Sequence, residues 1–86
     1  MAKITHNSTV KEIKANYRER VRFSEKNRGV LCRRFDTIPF VQMAGEFTKT
    51  NANLLAEKCR RAGFLARLDV DSAGGYWVYL RLPNWK

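Results

Sequence analysis

The sequence predicts a small α+β domain in which helices come first and a β-hairpin closes the chain. Three observations carry this. Ala52, Leu55, Ala56, Cys59 and Ala62 recur at helical spacing and mark one buried stripe. Gly63 stops that helix, because glycine enters the left-handed conformation after a helix without steric cost. From Phe64 the pattern turns extended, and residues 65–82 read as two strands around Asp71-Ser72-Ala73-Gly74-Gly75.

The first helix starts at a capping box, Thr9-Val10-Lys11-Glu12, in which hydroxyl and carboxylate each satisfy an orphan backbone donor. It should run from Val10 to about Glu25, with Val10, Ile13, Tyr17 and Val21 as its core stripe and Lys11, Lys14, Arg18 and Arg22 along one flank. Ahead of it, residues 1–8 read as a mobile tail, which leaves 9–86 as one domain. Lys26-Asn27-Arg28-Gly29 is a turn signal. Either residues 21–23 and 30–35 form a hairpin across it, or the helix continues to Asn27 and a short strand follows near Phe35. The unbroken stripe favours the helix. Pro39 suits a first helical turn, so a short second helix is expected from Pro39 to about Glu46, burying Phe40, Val41 and Ala44. Thr48 or Thr50 then caps a third helix that reaches Ala62. In the hairpin, about 65–70 pairs with about 76–82. Tyr76, Val78, Leu80 and Leu82 share one face; Trp77, Tyr79 and Arg81 share the other, joined by Arg67 and Asp69.

At 86 residues, 44% apolar and 12% aromatic, the chain is globular and has room for one core. No apolar run approaches the roughly 20 residues that span a bilayer. Met1-Ala2-Lys3 opens no secretory signal, so a cytoplasmic location is expected. Cys32, Cys59 and the lone His6 show no metal-ligand spacing, and no cofactor is implied. Cys59, on the helix stripe, reads as a small buried hydrophobe. Catalysis finds no support: there is no Ser–His–acid set, no phosphate-cradling glycine loop and no carboxylate pair at a cleft. An enzyme, a metal centre and a small-molecule substrate are not expected.

Charge is the strongest compositional signal. The net charge is +9, and it is uneven: residues 1–35 hold 10 Lys+Arg against 3 Glu, whereas residues 36–86 hold 7 against 5 acidic residues. Such asymmetry points the N-terminal third toward a polyanion, most often nucleic acid.

The helix–strand–helix–helix–hairpin order resembles the winged helix-turn-helix superfamily. Met43-Ala44-Gly45-Glu46-Phe47 stands as the first helix of the pair, Thr50 to Ala62 as the recognition helix and Asp69 to Arg81 as the wing. The resemblance implies three helices followed by a C-terminal hairpin wing, and duplex DNA as the partner. It implies that Lys49, Thr50 and Asn53 read bases or phosphates, that Arg61 lies on the exposed face, and that Arg67 meets the backbone or minor groove. Lys11, Lys14, Arg18, Arg22 and the Arg33-Arg34 pair would dock electrostatically, as in a regulator or accessory factor of a mobile element. A homodimer or a protein partner stays open.

Over a shorter span, Phe40-Val41-Gln42, Asn51-Ala52, Leu55-Ala56, Ala62-Gly63-Phe64 and Gly74-Gly75-Tyr76 resemble the sporulation-related repeat, whose domains bind denuded glycan strands. That resemblance implies a four-stranded sheet with two helices and an extended segment at 40–43. Trp77, Tyr79 and Arg81 would then be contacts for a glycan strand or single-stranded RNA. A third reading is a small inhibitor or adaptor, for which Leu54 and Glu57 suit a protein partner.

Overall fold

The computed structural model describes residues 3–29, 31–43, 45 and 48–83. The capping box forms as expected. The Thr9 hydroxyl accepts from the Glu12 N–H at 3.1 Å, and the Glu12 carboxylate accepts from the Thr9 N–H at 2.9 Å. Helix α1 (Val10–Lys26) follows and ends at Asn27, so this segment is helix rather than hairpin. Arg28 and Gly29, both at positive φ, then turn the chain back. Strand β1 (Cys32–Phe35) joins strand β2 (Ile38–Gln42) through Asp36-Thr37, where φ is 52° and 70°. Positive φ at both positions is the type I′ form of the two-residue turn, whose twist matches that of the strands it joins.

Thr48 caps helix α2 (Lys49–Arg61), its hydroxyl accepting from the Asn51 N–H at 3.3 Å. Gly63, at φ 97°, releases the chain into strand β3 (Leu65–Val70), which returns as strand β4 (Tyr76–Arg81). Asp71 organises the tip between them: its carboxylate accepts from the N–H groups of Ala73 and Gly75 and from the Trp77 indole.

The strands form one sheet in the order β1-β2-β4-β3, antiparallel at every step. Parallel strands β2 and β3 are thus joined through α2 with β4 between them, a split β-α-β unit. Both helices pack on one face. There Ile13, Tyr17, Leu55 and Cys59 meet Val41, Val78 and Leu80, all buried. Each large apolar side chain enclosed this way contributes about 1.5–3 kcal/mol. Tyr17 closes the seam. Its ring meets Phe64 edge-on at 5.1 Å, its hydroxyl accepts from the Leu82 N–H at 3.1 Å, and burial pushes its phenol pKa up. Residues 3–8, read from sequence as a tail, place Ile4 in this core, and the Lys58 ammonium donates to the carbonyls of His6 and Ser8.

The architecture corrects the winged helix-turn-helix expectation. The elements run α-β-β-α-β-β, with two helices and a four-stranded sheet, not three helices and a wing. Residues 38–42 are strand where a helix was expected. Val41 pairs with Cys32 on one side and Leu80 on the other, so it is buried by sheet neighbours rather than by a helical stripe. Pro39 is tolerated because β2 meets β4 only at Val41 and Gln42, so its missing donor falls outside that ladder. The rest of the expected second helix, at Ala44, Glu46 and Phe47, lies outside the described residues, as does Val30 of the expected short strand. The closing hairpin is not a wing either. β4 is a central strand, hydrogen-bonded on both edges.

Candidate nucleic-acid interface

Two surfaces collect the residues that the sequence singled out, and they lie on opposite sides of the molecule. The first is the outward side of α1. Its inward side is set by Ile13, Asn16, Tyr17, Arg20 and Ser24, all buried. At 100° per residue, Arg18 lies about 200° from Arg20 and so points away from the core. Lys11, Lys14 and Arg22 share its side, and all four are exposed. None of the four joins an ion pair among the described residues. Glu25 and Lys26 extend the same side with charges of opposite sign. The four cations span about 17 Å of helix axis at 1.5 Å per residue.

Arg20 shows that not every N-terminal cation serves this surface. It is only 7% exposed, and its Nε donates to the Gln42 carbonyl at 2.5 Å, which ties α1 to the end of β2. Burial lowers its pKa, although an arginine stays charged at neutral pH.

The second surface is the face of the sheet turned away from both helices. The central strands contribute Phe40 from β2 and Tyr79, Trp77 and Arg81 from β4; the outer strands add Arg33, Phe35, Arg67 and Asp69. Phe40 and Tyr79 are nonetheless only 5% and 7% exposed. What covers them is Phe35, whose ring meets Phe40 edge-on at 5.4 Å and Tyr79 at 5.3 Å. The Arg33 and Arg67 guanidinium groups lie over Phe35 at 5.0 and 5.3 Å. Both arginines are paired: Arg33 with Asp69, and Arg67 with Asp36 at 2.9 Å. Arg81 donates to the Pro39 carbonyl at 3.1 Å. This face therefore holds cations but neutralises at least two of them internally.

The remaining residues scatter. Arg33 and Arg34 are neighbours in a strand and point to opposite faces, so they do not act as a pair. Arg34 lines a cleft of about 370 Å³ with Ser24, Arg28 and Cys32 beside the end of α1. Lys49, Thr50, Asn53 and Arg61 are exposed on α2, but no helix-turn-helix frames them. Arg61, Leu54, Glu57 and Val10 line a groove of about 610 Å³ between α2 and the segment ahead of α1. Trp77 is half-buried, its indole held by Asp71 at 2.8 Å. The sequence reading missed Phe35 and Asp36 as members of the sheet surface. The available signal was the Arg33–Phe35 alternation, which places both on the face later found to carry Phe40.

No group of three metal-ligating side chains occurs among the described residues, and no helix among them is long and apolar enough to cross a membrane. No protein-family model, curated protein or solved structure matches this chain.

Proposed function

We propose that this protein binds nucleic acid through its phosphate backbone, with little sequence preference, using the outward face of α1. The observation that carries the reading is the row of four exposed, unpaired cations, Lys11, Lys14, Arg18 and Arg22, on a helix whose apolar stripe, Ile13 and Tyr17, is already committed to the core and whose exposed Val10 and Phe23 stand at opposite ends. That commitment argues against lipid as the polyanion, because a helix lying in a membrane interface needs a free apolar side to insert. Base-edge readout is not part of the proposal: Arg18 and Arg22 carry the two-point fork that matches a guanine edge, but no helix-turn-helix frames α1 for entry into a major groove.

The test is the salt dependence of binding to a fluorescein-labelled 16-base-pair duplex. Four phosphate contacts give a slope of about −3.6 in log affinity against log salt. Affinity should then fall about 150-fold between 50 and 200 mM salt. The double variant Lys14→Gln/Arg18→Gln should halve the slope to about −1.8, with a loss of only about 12-fold over the same range. A slope unchanged by the double substitution would remove α1 from the interface.

A further inference from the structure

We infer that the open face of the sheet is a closed stacking site for an unpaired nucleobase, with Phe35 as the side chain that the base displaces. A sheet face left uncovered by helices is normally polar, because it meets water. Here its two central strands present Phe40 and Tyr79 on a diagonal, Tyr79 lying opposite Gln42, and both are almost fully buried. Their cover comes from the β1–β2 hairpin, which curls over the face and lays Phe35 across them.

The cover is held by two ion pairs, Arg33–Asp69 and Arg67–Asp36, and the second of them sits on a strained, exposed turn. It hangs on Asp36-Thr37, both at positive φ, which for a β-branched threonine is a strained conformation. Its outer fastening is the Asp36–Arg67 pair, in which the carboxylate is 84% exposed. Exposed ion pairs of this kind contribute little and weaken with salt.

The seated ring indicates what would replace it. Phe35 is a flat ring that touches two aromatic rings and lies under two guanidinium groups. A nucleobase has the same shape and brings a phosphate that competes with Asp36 and Asp69 for Arg67 and Arg33. Stacking of bases on aromatic side chains tolerates any sequence, as every base has a π-face. The site is separate from the α1 row, which lies on the other side of the sheet, so the two are tested independently.

The probes are a labelled 12-nucleotide oligothymidylate, a 12-base-pair duplex and an N-acetylglucosamine hexamer. Asp36→Asn releases the fastening at an exposed turn, and Phe35→Ala removes the cover. Phe35→Ala should raise affinity for the single strand about fivefold or more, the worth of one stacked base, and Asp36→Asn about twofold, the worth of an exposed ion pair; both should leave duplex affinity unchanged. Tyr79→Leu added to Phe35→Ala should abolish the gain. Lys14→Gln/Arg18→Gln should weaken single strand and duplex together and leave the gain intact, which separates this site from α1. Should Phe35→Ala not fold, Asp36→Asn decides. No gain for the single strand in a folded variant, an equal gain for the duplex, or a gain for the hexamer instead would overturn the inference.

Discussion

Replacing Arg20 separates two effects that oppose each other at the α1–β2 contact. The side chain is 7% exposed, its aliphatic stem lies in the core seam, and its Nε donates to the Gln42 carbonyl at 2.5 Å. Arg20→Ala removes the stem and the donor. Loss of the donor and relief of the charge's desolvation oppose each other in this variant, and the vacated stem leaves a cavity, so the loss should be about 3 kcal/mol, most of it from the cavity. For a chain of 86 residues the unfolding entropy is about 0.18 kcal/mol per kelvin, so Tm should drop by about 15 °C. Arg20→Met keeps the stem and also removes the buried charge. Leaving the Gln42 carbonyl without this donor costs about 1–3 kcal/mol. Relief of the charge's desolvation is of similar or larger size and opposite sign. The methionine variant should therefore unfold within about 5 °C of the wild type. The measurement is thermal unfolding followed by circular dichroism. A methionine variant as unstable as the alanine variant would refute the reasoning, since the stem would then contribute nothing and the lost hydrogen bond would outweigh the relieved desolvation. Neither variant should change the salt slope of duplex binding, because Arg20 faces inward.

The capping box makes α1 sensitive to acid. Hydrogen bonds from the Thr9 backbone and hydroxyl hold the Glu12 carboxyl below its ordinary pKa. A pKa depressed by folding gives stability that is present above the unfolded-state value and is lost as pH falls through the folded one. Helical signal at 222 nm, followed during acid titration near the melting midpoint, should fall more steeply in wild type than in Glu12→Gln. Equal titration curves would show that Glu12 contributes nothing to the cap. The two thiols should also differ. Burial pushes Cys59 up to about 12, while Cys32 is half-buried beside the Ser24 hydroxyl at 2.9 Å. An aromatic disulfide reagent at pH 8 should titrate one thiol in the native protein and the second only in denaturant. Two fast equivalents would mean that α2 opens readily.

What the sequence conveyed was set by how local the responsible forces are. Helix α1 was legible because its capping box and its 3.6-residue period are contained within the segment itself. Helix α2 and the β3–β4 hairpin were legible for the same reason, down to the division of Trp77, Tyr79 and Arg81 from Val78 and Leu80. Residues 38–42 were not. A five-residue run with a proline near its start fits a helical first turn and a buried strand equally well by pattern. Pairing decided the outcome: Val41 gains ladder partners on both sides, and those partners are nine and thirty-nine residues away in sequence. Within α1 the stripe was placed slightly off. Val10 is exposed and Arg20 and Ser24 are buried, where Arg20 donates to the Gln42 carbonyl and Ser24 meets the Cys32 thiol, partners that helical spacing alone does not announce.

The two candidate surfaces divide along the same line. The cationic row on α1 depends only on helical spacing, so Lys11, Lys14, Arg18 and Arg22 could be grouped before any tertiary contact was known. The sheet surface depends on which strands end up central, and its defining contacts join residues far apart: Arg67 reaches Asp36, and Phe35 reaches Tyr79. No periodicity encodes such a meeting. It also changes the meaning of the charge. Arg33 and Arg67 counted toward the surplus of +9 when the chain was read as a string, yet each is answered by an aspartate once the hairpin folds over. A polyanion approaching the folded protein therefore meets an uncompensated row on one side. On the other it meets two arginines that it can recruit only by taking them from Asp36 and Asp69. Binding at α1 should need no rearrangement, whereas binding at the sheet must break two ion pairs and lift Phe35. Of the two sites, the sheet is thus the one whose occupancy ought to report conformational opening as well as charge.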